Sequence, residues 1–169
     1  MSFIGIISDD KCFEKLNREI NYRFKNSIKL FHLNKNSISN VKNIKFEAII
    51  IEEDLKKFKK ESILIDKICN KANYIVINTD VNIITKLKGK IITYGCNHNA
   101  MITISSVTDS DILICLQKEI KNKNNKNHKL IEIGEKHIKI KENSNLKIED
   151  FLIIASIFLV KNYSIIDEI

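Results

Sequence analysis

The chain has 169 residues, 44% of them hydrophobic, which suits one domain with a substantial core and excludes wholesale disorder. A net charge of +7 invites an acidic partner, but Ile, Lys and Asn fill so many positions, with no Pro, no Trp and four Gly, that a solvated lysine-rich surface is the favoured reading. Cys12, Cys69, Cys96 and Cys115 stand far apart with no CxxC, and Asp9, Asp10 and Lys11 interrupt the first apolar run before a secretory signal can form, so a reduced, cytoplasmic protein with structural thiols is expected.

In chain order, FIGII (3–7) reads as a buried strand. The stretch 13–24 places Phe13, Leu16, Ile20 and Phe24 at helical spacing. IKLFHL (28–33) is a second strand, 36–44 a helical or loop connection, and EAIII (47–51) a third strand. A helix over 61–72 carries Leu64, Ile65, Ile68 and Ala72 on one face. YIVIN (74–78) is a fourth strand, 79–89 a short helix closed by Gly89, and KIITY (90–94) a fifth strand. Buried strands alternating with helices predict a Rossmann-like parallel sheet of about five strands flanked by helices.

The rhythm changes after Gly95. AMITISSV (100–107), DSDILICLQ (109–117), LIEIG (130–134) and HIKIK (137–141) predict an antiparallel extension. The basic run at 118–129 has no aromatic residue for base stacking and reads as an exposed loop, so nucleic acid is not an expected partner. A final helix over 148–162, with Asn145 or Asp150 as its cap, contains FLIIASIFLV. That run is shorter than the roughly 20 residues a membrane span needs, and a core helix is expected instead. The fold class is therefore α/β, one domain over 1–169, parallel over 1–95 and antiparallel with its helix over 96–169.

Ligands of open parallel sheets bind outside the carboxyl ends of the strands. There the sequence places Asp9 and Asp10 after strand one, Glu52, Glu53 and Asp54 after strand three, and Asn78 and Asp80 around the end of strand four. These seven are the candidate ligand-binding residues. Hard carboxylate oxygens could hold Mg²⁺, although acidic residues at these places also cap the helices that follow. No catalytic residue and no metal ligand is assigned.

Asp9 and Asp10 after strand one, Asp54 after strand three and Thr79 after strand four resemble a response-regulator receiver, in which paired acids hold Mg²⁺ and a third Asp, here Asp54, takes phosphate. The lysine such a domain carries after strand five is replaced here by Tyr94-Gly95-Cys96. A phosphate loop would require small residues after strand one, whereas IISDDKCFEKL puts two carboxylates there. Cys96 and His98 lack a second local pair to complete a zinc site, and read as the junction between the two parts of the chain.

The stretch YIVINTDVNIITKLKGKIITYGCNHNAMITISSV resembles the later part of the central, ATP-binding domain of Mur ligases, which join amino acids to peptidoglycan precursors. The resemblance rests on Asn78-Thr79-Asp80, on Thr93 to Asn97, and on the Ala100-Met101-Ile102 rhythm, with a closing helix DFLIIASIFLVKNYSI. It covers about residues 74–165. The family's glycine-rich phosphate loop is missing at 8–12, and Glu142-Asn143-Ser144 stands where a Gly-His-Asn stretch belongs. Glu52 or Glu53 loosely matches the family's metal-binding glutamate. The resemblance implies a catalytically degenerate domain that binds a protein or small ligand, linked to cell-envelope precursor metabolism. ATP and Mg²⁺ are the cofactors it would imply if any is used. Two alternatives remain open: a component of an ATP-dependent amide-bond ligase completed by a partner, or a receiver-like signalling domain.

Overall fold

The computed structural model describes residues 1–25, 27–81, 87–109, 111–121, 130–131, 133–139 and 145–161. The chain divides into two compact units, Met1–Ile91 and Ile92–Ile169.

In the first unit β1 (Ser2–Ile7) leads into helix α1 (Asp10–Phe24), then β2 (Ile28–His32), a 3-10 turn at Ile38–Val41 and β3 (Ala48–Ile51). A second 3-10 turn at Leu55–Phe58 precedes α2 (Ser62–Lys71) and β4 (Tyr74–Asn78). All four strands run parallel in the order β2-β1-β3-β4. β1 reaches β2 on one side and β3 on the other, with Ile4 opposite both Leu30 and Ala48. That reversal of direction is the topological switch point of an open sheet.

Burial on both faces explains why residues 3–7 of β1, all of β3 and residues 74–77 of β4 are apolar without a polar alternate. Ile7, Ile49, Ile51 and Ile75 enter a buried cluster with Leu33, Phe46, Ile65 and Ile68, while Ile4, Ile6, Ile50 and Val76 are buried on the opposite face. β3 is buried at all four positions. Helix α1 lies against β2 and buries Leu16, Ile20 and Phe24, the stripe its spacing predicts. It ends at Lys25 in the left-handed region, with φ 43°.

Gly5 sits at a close-packed point of β1. A Cβ there would stand 2.6 Å from Leu33 Cδ1 and 2.8 Å from Ile49 Cδ1, both of them fully buried side chains. Gly5→Ala is expected to cost about 1–3 kcal/mol by overpacking. A urea midpoint unchanged from the parent would contradict that packing.

In the second unit β5 (Ile91–Tyr94), which begins at the boundary, is followed by β6 (Ile102–Val107), β7 (Asp111–Leu116) and β10 (Gly134–Lys139), paired in the order β5-β6-β7-β10. β8 (Ile120–Lys121) and β9 (Leu130–Ile131) form a separate antiparallel pair. α3 (Ile148–Lys161) packs on β6 and is buried at every residue from Asp150 to Val160, as a helix apolar on all sides requires. Asp150 supports its first turn, accepting the Lys147 N–H at 2.7 Å.

Three expectations change. Among the described residues the sheet strands number eight, not about five. The residues expected to extend the sheet antiparallel do so only from β7 onward, because β6 runs parallel to β5. A parallel neighbour ordinarily needs a long crossover. Here the two strands overlap at the single pair Tyr94 and Ile102, so the chain needs only a short sidestep. Third, the separate strand expected at 130–134 is a two-residue bridge, and its last residue, Gly134, opens β10 instead. Of the helix expected over 79–89, residues 82–86 lie outside the described residues, and 79–81 and 87–89 form turns and irregular backbone, not helix; of the basic run at 118–129, residues 122–129 lie outside the described residues.

Candidate functional site

Parallel strands put all their carboxyl ends on one edge of the first unit. There Ser8 and Glu52 follow β1 and β3 and Asn78 ends β4, the three adjacent because Ile7 pairs with Ile51 and Ile51 with Ile77. Ser8 and Asn78 are buried and Glu52 is half-buried. The Asn78 amide donates to both Glu52 oxygens, at 3.2 and 3.4 Å, and its own oxygen accepts the Asp80 N–H at 2.9 Å. The Glu52 N–H donates to the Ile7 carbonyl at 2.9 Å, tying β3 to β1 one residue beyond the ladder. Glu52, Asn78 and Asp80 are therefore one hydrogen-bonded group.

Of the remaining four acids, Asp9, Glu53 and Asp54 are engaged within their own segments, and Asp10 faces β2. Asp9 caps α1, its Oδ1 accepting the Cys12 N–H at 2.8 Å. Asp54 caps the second 3-10 turn by accepting the Lys56 N–H at 2.9 Å. Its carboxylate thus turns onto its own segment, while Glu52 stands at the strand end. Glu53 pairs with Lys57 at 3.3 Å, one helical turn on. Asp10, exposed in the first turn of α1, lies 3.5 Å from Nδ1 of His32. Among the described residues no three acidic, His or Cys side chains converge as metal ligands.

His32 belongs to this edge and is not among the seven residues chosen from the sequence, although the strand-end rule applied to IKLFHL points to it. It closes β2, stacks on Phe13 with ring centroids 4.5 Å apart and an interplanar angle of 8°, and its Nε2 lies 2.9 Å from the Ser8 carbonyl. Asn34, just beyond it, organises the following turn: its Oδ1 accepts the N–H groups of Asn36 and Ser37.

In the second unit, residues 95–100 form a turn. Asn97 accepts the Asn99 N–H through its side chain and the Ala100 N–H through its carbonyl, and Thr93 Oγ1 accepts the Met101 N–H. Gly95 has φ 157°, and its N–H donates to Ile102. Cys96 and His98 are both exposed on this turn. In the first unit, burial pushes the Cys69 thiol up to about 12, with the Asp66 carboxylate as a second cause. A thiol so rarely ionised is a structural group.

Fold and edge together define an α/β protein of the open-sheet class, carrying a polar row at its switch point. No family model and no curated protein matches the chain. No helix among the described residues is long and apolar enough to cross a membrane.

Proposed function

We propose that the chain is a catalytically degenerate, Mur-ligase-like domain that binds a small ligand or a protein partner at the strand-end edge of its first unit. The observation that carries this reading is the start of α1. In nucleotide-binding open sheets the phosphates lie on free N–H groups at the N-terminus of the first helix. Here the Asp9 carboxylate has taken the Cys12 N–H, and Asp10 adds a second negative charge in the same turn. A phosphate arriving there would lose the helix donor and meet two carboxylates.

The Glu52–Asn78–Asp80 group is the part of the edge suited to recognition, because it is assembled from two strand ends and a turn and held by mutual hydrogen bonds. The link to cell-envelope precursor metabolism rests on the resemblance of residues 74–165 alone, since a fold does not fix a function. Titration calorimetry with ATP and Mg²⁺ tests the reading. The expected result is no binding tighter than about millimolar, equivalent to roughly 4 kcal/mol, and no hydrolysis. Tight binding accompanied by measured hydrolysis would overturn it in favour of a ligase component.

A further inference from the structure

We propose that His32 is a proton-operated coupling between the turn after β2 and the first turn of α1. Four groups surround its ring. β1 contributes the Ser8 carbonyl at 2.9 Å from Nε2, and α1 contributes the Phe13 ring and the Asp10 carboxylate, 3.5 Å from Nδ1. The turn after β2 contributes the Asn34 amide nitrogen, also 3.5 Å from Nδ1. Among the described residues, Asp10 is the charged group paired with the ring.

A carbonyl only accepts, so Nε2 keeps its hydrogen in both charge states of the ring and Nδ1 is the atom that gains or loses a proton. In the neutral ring Nδ1 is a lone pair. It suits the Asn34 NH₂ group and opposes the Asp10 carboxylate. In the charged ring Nδ1–H opposes the Asn34 NH₂ group, donor to donor, and suits Asp10.

Asn34 has no easy escape by rotating its amide. Its Oδ1 is held by the N–H groups of Asn36 and Ser37 at 3.0 and 2.9 Å, so presenting oxygen to the charged ring would break the turn. Ser37 ties the same turn to β2, donating its hydroxyl to the His32 carbonyl at 2.5 Å. Protonation therefore exchanges a partner in the turn for a partner on α1, beside the Ser8–Asp9 strand end. The ring is 14% exposed and Asp10 is 85% exposed, so the proton can arrive from solvent and Asp10 is free to swing.

Nuclear magnetic resonance of the full chain, titrated from about pH 8 to about pH 5, reads this exchange in the range where histidines change charge. The His32 ring, the Asn34 side-chain amide and the Asp10 carboxyl carbon are expected to shift along one common curve. In His32→Gln, whose amide can still donate to the Ser8 carbonyl, the curve should vanish at Asn34 and Asp10. The proposal fails if the ring titrates while Asn34 and Asp10 stay still, if the ring takes no proton across the range, or if both residues shift unchanged in His32→Gln.

Discussion

Asn78→Asp is expected to cost about 3 kcal/mol at neutral pH and to recover much of that loss on acidification. Asn78 is 3% exposed, and its amide is the donor to both Glu52 oxygens. An aspartate at this position removes that donor and places a second carboxylate against the first. Two carboxylates sharing a site do not both ionise without penalty, so one of them takes a raised pKa. A carboxyl whose folded pKa is raised is stabilising while protonated, and that contribution is lost as pH rises through the folded value. The variant should therefore be closest to the parent near pH 5 and furthest from it near pH 7. Urea unfolding at both values measures the difference. Adding Glu52→Gln to the same variant should restore stability at neutral pH, because the carboxylate introduced at position 78 then has an amide donor. A loss equal at both pH values would mean that shape, and not charge, holds this corner.

The second large effect lies on the alkaline side. Cys69 is 1% exposed, and its thiol is pushed up from 9.0 to about 12. Burial is the main cause, and the Asp66 charge adds to it. The unfolded chain releases this proton near the ordinary value while the folded chain holds it, so stability is intact below about pH 9 and falls from there towards pH 12. Three pKa units correspond to a loss on the order of 4 kcal/mol, a sizeable share of the 5–15 kcal/mol typical of a domain. Lysines and tyrosines titrate in the same range, so the difference between the parent and Cys69→Ala isolates the thiol. The variant starts lower because of the cavity it leaves, but its alkaline decline should be shallower. Parallel declines would show that Cys69 does not carry the effect. The exposed Cys96 provides an internal contrast, since it should react with a thiol reagent near pH 8 while Cys69 does not.

Both effects arise from residues whose roles differ in how far they could be read along the chain. That α1 caps itself with Asp9 is local, because donor and acceptor are three residues apart. The alternation of FIGII, EAIII and YIVIN with helical stretches is also local, and it suffices to predict the parallel strands of the first unit. Asp54 illustrates a limit. Its place after a strand makes it a site candidate, but the backbone brings the Lys56 N–H within reach of its carboxylate and makes it a cap. A strand-end rule ranks residues by position and is blind to such short-range competition.

Legible along the chain are the class of fold, the apolar strands, the helix spacing of α1, the buried character of FLIIASIFLV and the set of acids near the strand ends. These follow from patterns a few residues long, in which burial and backbone geometry act on neighbours. Which of those acids meet is a property of the folded molecule. Glu52 and Asn78 stand 26 residues apart in the chain, and so do Asn73 and Glu47 at the opposite ends of the same strands. His32 reaches Ser8 across 24 residues. Strand order and register bring these pairs together, and both are set by how whole faces bury against each other. The same holds for β6, whose direction beside β5 depends on where the chain lands after the Gly95 turn and not on its own alternation.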